Sequence, residues 1–86
     1  APEKGNTYFL LGLSYNEAGK KEHAEQALRE GVRVAPDDVW ILLGLANLLA
    51  EKGERKEACE LYRKANTIAP DNEQVRSAIE SSCADF

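Results

Sequence analysis

The chain has 86 residues, of which 43% are hydrophobic and 30% charged, and its formal net charge is −4. This length allows one small domain with a single core. The mildly acidic balance and the scattered basic residues argue against nucleic acid as a partner. The most apolar stretch, residues 39–50, is far shorter than the ~20 residues that span a membrane. It predicts a core helix and no membrane insertion.

Apolar residues recur at spacings of three and four along the chain, which predicts α-helices. Gly19 should end the first helix and Gly53 the third, because glycine tolerates the left-handed turn that closes a helix. The sequence predicts five helices, near residues 4–18, 21–34, 38–52, 55–68 and 72–84.

Two similar segments, VAPDD and IAPDN, begin at positions 34 and 68. Pro36 and Pro70 disfavour helical geometry just before them and cannot donate a backbone hydrogen bond, so the second and fourth helices should end there. Asp37 or Asp38, and later Asp71, can then cap the following helix by accepting from its free N–H groups. Both segments are therefore interpreted as joints between helices.

The chain also contains an internal repeat whose period equals the spacing of these two segments. Residues 5–38 align with residues 39–72 without a gap. The identical pairs are Leu11/Leu45, Glu17/Glu51, Gly19/Gly53, Ala24/Ala58, Arg29/Arg63, Ala35/Ala69, Pro36/Pro70 and Asp37/Asp71. Each unit contains two predicted helices. One unit alone leaves an apolar face uncovered, so the units are expected to stack.

The two units resemble the tetratricopeptide repeat, a helix–turn–helix of the same length with the signature W-x2-L-G-x2-Y…A-x3-F…P. The first unit has Tyr8, Leu11, Gly12, Tyr15, Ala24, Leu28 and Pro36 at the signature positions. The second unit has Leu42, Leu45, Ala46, Leu49, Ala58, Tyr62 and Pro70 there. The resemblance implies an all-α, right-handed α-solenoid of five helices. It also implies that residues 1–86 form one domain, with repeat 1 at 5–38, repeat 2 at 39–72 and a capping helix at 73–86.

The last helix departs from the repeat pattern. Val75, Ile79 and Cys83 keep a narrow apolar stripe, while most of the other positions are polar. This pattern favours a terminal capping helix, and the alternative is a third, diverged repeat that is cut short. The missing initiator methionine likewise predicts a chain that was processed or cut from a longer one.

Whether the two cysteines lie close together depends on how this last helix packs. If it runs antiparallel to the helix at 55–68, Cys83 lies close to Cys59 near the start of that helix. We expect two reduced, buried thiols, which favours the cytoplasm. The alternative is a disulfide, which would imply the periplasm or another oxidising compartment.

The sequence shows no residues arranged for catalysis, cofactor binding or metal binding. His23 is the single histidine and is expected at the exposed start of a helix. No histidine or acid is placed to activate a serine, no glycine-rich phosphate loop exists, and the cysteine spacing does not match a zinc site. We therefore expect no enzyme, no cofactor and no metal.

The family resemblance implies binding to a segment of another protein in a concave groove lined by the first helix of each repeat. Apolar residues there can anchor a partner, and asparagines can hold a peptide backbone with both donor and acceptor. For Trp40, packing against the first repeat is the alternative. For Asn16 and Asn47 the alternative is a solvated helix residue. The residues expected to line the groove are Phe9, Leu13, Asn16, Trp40, Leu43 and Asn47, and stacking is not expected to cover the four apolar ones fully.

The predicted partner is a hydrophobic or amphipathic protein segment. No basic cluster faces the expected groove to pair with carboxylates, so the acidic C-terminal tails of chaperones are not expected as partners. The alternative to a binding module is a slice of a longer solenoid or a self-associating, oligomerising unit, whose apolar faces meet neighbouring repeats.

Overall fold

The computed structural model describes residues 2–83, with side chains described from residue 6 onward. The five predicted helices are confirmed, with ends within two residues of those expected. Residues 84–86, which include the predicted end of the last helix, lie outside the described residues. The helices are α1 (Pro2–Glu17), α2 (Lys21–Val34), α3 (Val39–Glu51), α4 (Arg55–Ile68) and α5 (Glu73–Ser82).

Both glycine turns form as predicted. Gly19 has a φ of 79° and Gly53 a φ of 87°, in the left-handed region. After α1, the Lys20 N–H donates to the Tyr15 carbonyl at 2.8 Å, so the turn ties back onto the helix that it ends. The equivalent bond after α3, from the Glu54 N–H, also measures 2.8 Å. The two repeats therefore turn from their first to their second helix in the same way.

Side-chain caps begin α3 and α5. The carboxylate of Asp38 accepts from the N–H groups of Trp40 and Ile41 at 3.0 and 3.3 Å. At α5 the cap is Asn72, whose side-chain oxygen accepts from the second and third helical N–H groups at 2.9 and 3.2 Å. The prediction that Asp71 caps α5 is wrong, because the backbone reaches the extended capping geometry one residue later.

The helices pack in sequence as an all-α helical-repeat solenoid. α1 packs on α2, α2 on α3, α3 on α4 and α4 on α5, while α1 also contacts α3. α1, α3 and α5 therefore form one layer, and α2 and α4 form the other. Ala24, Ala46 and Ala58 are fully buried where helices approach closely, and Leu42 and Leu49 are fully buried between them. The large side chains thus fill the space that the alanines leave.

The two cysteines form a disulfide, with Cα atoms 5.3 Å apart. The expectation of two reduced thiols is therefore wrong. Cys59 lies early in α4 and Cys83 directly follows α5, and the antiparallel packing of these helices brings both buried side chains together. The alternative expectation, a disulfide, is confirmed, and this bond joins the last helix covalently to the second repeat.

A network of ion pairs joins α2, the end of α3 and the start of α4. The Glu25 carboxylate accepts from Arg29 at 2.8 Å and from Lys52, which follows α3. Arg29 also donates to Glu57 of α4 at 2.9 Å. Hydrogen bonds from Lys52 and then Arg29 hold the pKa of Glu25 below its ordinary value. The network is mostly exposed, so its contribution to stability is expected to be small.

Replacing Glu25 with glutamine is expected to lower the free energy of unfolding by roughly 0.2–1 kcal/mol at pH 7. The folded-state pKa of Glu25 is lowered, so its stabilisation is present above the unfolded pKa and lost as pH falls through the folded pKa. Melting curves from pH 7 to pH 2 should therefore differ most at neutral pH and converge in acid. Glu60→Gln, on an exposed residue of α4, is the matched control. A constant difference at all pH values would contradict the assignment.

Candidate protein-binding groove

One side of the molecule, formed by α1, α3 and α5, carries three neighbouring depressions. The first lies between the starts of α1 and α3, the second between the ends of the same helices, and the third between α3 and α5. We refer to this surface as the groove. Its lining includes the six residues predicted from the sequence, which are Phe9, Leu13, Asn16, Trp40, Leu43 and Asn47.

The first depression has a volume of about 290 Å³ and is lined by Asn6, Phe9, Asp38 and Trp40. Trp40 is 55% exposed and lies beside Asn6 and Phe9 of the first repeat, so more than half of its surface stays open to a partner. It is the second residue of α3, and its N–H donates to the Asp38 cap. Phe9 is half-buried and packs against the core cluster. Phe9 therefore forms an aromatic wall that the core holds in place, and Trp40 forms a second aromatic wall that is exposed to water.

The second depression is narrower, with a volume of about 170 Å³. Leu13, which is 42% exposed, and the half-buried Asn16 form its α1 side. Asn47 and Glu51 lie on its α3 side. Gly44 also lines it, and its lack of a side chain lets Leu28 and Phe9 pack closely against it. An apolar side chain of a partner could enter here beside Leu13.

The third depression, of about 550 Å³, lies between α3 and α5. Leu43 lines it but is only 7% exposed, so the prediction that stacking leaves Leu43 uncovered is wrong. Leu43 belongs to the buried core cluster, so its side chain is part of the packing between helices. The α5 side is polar and includes Gln74, Ser77 and Ser81.

Asn47 lines both the second and the third depressions and lies at the middle of the groove. The hydroxyl of Tyr62, from α4, donates to the Asn47 side-chain carbonyl oxygen. Tyr62 is 2% exposed, and burial raises the pKa of its hydroxyl. This buried donor holds one side of the Asn47 amide, which leaves the NH₂ group to donate to a partner.

The charged residues that line these depressions are acidic. Asp38, Glu51 and Glu73 contribute carboxylates, and no lysine or arginine is among the described lining residues. Glu51 lies 3.6 Å from Lys21 of α2. Sequence reasoning missed Glu51 and Glu73 as groove residues, although Glu51 lies one turn after Asn47 on the same helix. The groove therefore favours basic over acidic groups in a partner.

Other surfaces are less suited to bind a protein segment. A wider depression of about 740 Å³ at the start of α4 is lined mainly by charged residues of both signs, with no aromatic group. His23 is exposed, as predicted, and its ring centroid lies 5.3 Å from that of Tyr15. Within residues 2–83, no helix combines the length and the apolar character that crossing a membrane requires.

The chain is similar to curated proteins of several kinds. It is 34% identical over 76 residues to the N-terminal acetyltransferase A complex auxiliary subunit NAA15 of Arabidopsis thaliana, covering 86% of this chain. It is 36% identical over 75 residues, 85% of the chain, to N-alpha-acetyltransferase 16, NatA auxiliary subunit, of Homo sapiens. The chain spans only 8% of the length of either relative. It is also 33% identical over 67 residues to the uncharacterized protein ycf37 of Pyropia yezoensis, covering 78% of the chain and 38% of that protein.

Solved structures have the same fold. The Arabidopsis OM64 TPR domain superposes with a TM-score of 0.86 at 19% identity, over 96% of this chain and 69% of that one. MamA from AMB-1 superposes with a TM-score of 0.82 at 25% identity, over 98% of this chain and 46% of that one. The family model described as tetratricopeptide repeat matches residues 2–81. The chain therefore belongs to the tetratricopeptide-repeat family.

Proposed function

We propose that the chain is a non-catalytic protein-interaction module that binds an amphipathic segment of a partner protein in the groove. The observation that supports this most directly is the exposure of Trp40 at 55% beside Phe9, with Leu13 at 42% further along the same surface. Exposed aromatic and aliphatic side chains that rim adjacent depressions are typical anchors for a partner.

The partner's chemistry follows from the lining of the groove. Apolar side chains of the segment would enter the first two depressions, next to Trp40 and Leu13. The amide of Asn47 would donate to a backbone carbonyl between them. Basic residues of the segment would face Glu51 and Glu73. The preferred partner is therefore amphipathic and positively charged, unlike an acidic C-terminal tail.

The relatives' names are consistent with this role. Two of them are auxiliary subunits of an N-terminal acetyltransferase complex and thus parts of a protein assembly. The match covers a small fraction of each, so the proposal takes from them only the role of a repeat segment that contacts other proteins.

Trp40→Ala is the sharpest test. Helical peptides selected for binding to the unsubstituted chain should bind the variant about 30-fold more weakly or worse, because an aromatic anchor contributes about 2 kcal/mol or more. Isothermal titration measures the affinity, and circular dichroism should show an unchanged helical content, since Trp40 is outside the core.

The matched control is Ile68→Ala, at an exposed apolar residue that ends α4 and does not line the groove. Its affinity should equal that of the unsubstituted chain. Equal losses in both variants, or selected peptides that bind Trp40→Ala at full strength, would contradict binding in the groove.

A second function is favoured by a different observation. Leu10 and Leu11 are 53% and 42% exposed on α1, outside the groove lining. Such a surface suits a segment of a longer helical-repeat array or a self-associating unit. Sedimentation at micromolar concentration distinguishes the two functions, because a monomer is expected of the groove module and a larger species of the self-associating unit.

A further inference from the structure

α1 has an apolar face that the packing of described residues 2–83 leaves in contact with water. Its two main packing partners are α2 and α3. On the remaining side, Leu10 is 53% exposed and the neighbouring Leu11 is 42% exposed. This face does not depend on the groove proposal, because neither leucine lines the three depressions.

The internal repeat shows what covers the equivalent face of α3. When residues 5–38 are aligned with 39–72, Thr7 and Leu11 correspond to Ile41 and Leu45, which are 0% and 2% exposed. α2 covers Ile41, since a Cβ added to Gly31 would lie 3.2 Å from Ile41 Cγ2. The occupant of the α1 face is therefore expected to be a helix placed as α2 is placed against α3.

At the centre of this face, however, α1 has a large side chain where α3 has a small one. In the second repeat a large residue of the covering helix meets a small one, because a Cβ on Gly44 would lie 3.3 Å from Leu28 Cδ2. The same register places Tyr62 of α4 opposite Ala78 of α5. On α1 the equivalent position is occupied by Leu10. A helix that fits there needs a small residue where α2 and α4 have large ones.

Charge provides a second point of recognition. Lys21, at the start of α2, lies 3.6 Å from Glu51, at the end of α3. The residue equivalent to Glu51 on α1 is Glu17, which is identical and exposed. A basic residue in the first turn of a covering helix would face Glu17 in the same way.

We propose that the α1 face, formed by Leu10, Leu11 and Glu17, is a docking surface for an amphipathic helix from outside the sequence given by residues 1–86. This helix runs antiparallel to α1, places alanine or glycine against Leu10 and places lysine or arginine against Glu17. A second copy of this chain would fit less well, because the equivalent faces of α2 and α4 are already packed against α3 and α5 and have Leu28 and Tyr62 at the contact.

The test attaches a probe helix in the register of the repeat. A copy of residues 20–38 is placed directly before residue 5, so that the copied helix meets α1 as α2 meets α3. Four proteins are compared. Position 10 is either leucine or glycine, and the copied residue equivalent to Leu28 is either leucine or alanine. Melting temperature and hydrogen exchange of the copied helix are measured for all four.

With Leu10 present, the alanine-bearing copy should melt about 4–8 °C higher than the leucine-bearing copy. With Leu10→Gly, which reproduces Gly44, the order should reverse. Glu17→Lys should lower the melting temperature of the alanine-bearing protein more than that of the original chain. Hydrogen exchange should show protection of the copied helix in both favoured combinations.

Three results would overturn the proposal. The copied helix could be unprotected in all four proteins, which would mean that α1 holds no helix there. The order of melting temperatures could be the same with Leu10 and with Leu10→Gly. The original chain could form a dimer that Leu10→Lys dissociates, which would assign the face to a second copy.

Discussion

Removing the Cys59–Cys83 disulfide by the double substitution Cys59→Ala, Cys83→Ala is expected to lower the free energy of unfolding by about 3 kcal/mol. The bond closes a loop with a sequence separation of 24 and so restricts the unfolded chain. For a domain of this size, the loss should appear as a fall in melting temperature of at least about 10 °C. Urea denaturation followed by circular dichroism measures it directly.

A dithiol reductant applied to the unsubstituted chain separates the covalent bond from the packing of the two side chains. Reduction alone should produce most of the loss, because the thiols keep the volume of both buried cysteines. Single substitutions should cost as much as the double one, since either breaks the bond. Equal stability with and without reductant, in samples shown by mass to be oxidised and reduced, would contradict this expectation.

Leu42→Ala is expected to lower the free energy of unfolding by about 2–5 kcal/mol. Leu42 is 0% exposed and lies within the core cluster that joins α2, α3 and α4. Truncation removes buried apolar area and leaves a cavity between helices that cannot close around it. Chemical denaturation monitored by circular dichroism gives the difference.

Leu10→Ala is the matched control, because it makes the same chemical change at a position that is 53% exposed. Its cost should stay within about 0.5 kcal/mol, as for most surface substitutions. Similar losses for the two variants would mean that Leu42 does not belong to the core. A loss from Leu42→Ala under about 1 kcal/mol would have the same meaning.

Much of this architecture could be read from the sequence because the repeat period, the glycine turns and the prolines act locally. Gly19 and Gly53 end helices by a backbone conformation that other residues rarely adopt, and the repeat period then sets the register of every helix. The cap of α5 was misplaced because Asp71 and Asn72 are both good capping residues, and only the backbone path selects between them.

The groove was less predictable, since exposure depends on neighbours distant in sequence. All six predicted residues line it, but Leu43 is buried within the core cluster, whereas Trp40 is largely exposed at the first turn of α3. The disulfide could be stated only as an alternative. Pairing requires the geometry of two packed helices, which the spacing of Cys59 and Cys83 does not determine.

The disulfide also affects the order in which the molecule comes apart. In a stack of helices each unit contacts mainly its neighbours, so the terminal helices are ordinarily the first to open. Because Cys59 and Cys83 tie α5 to α4, the α5 end cannot separate by itself. In a protein made of residues 1–86 alone, fraying under heat or mechanical force should therefore begin at α1 and propagate toward the cross-linked end, so that unfolding proceeds in a single direction.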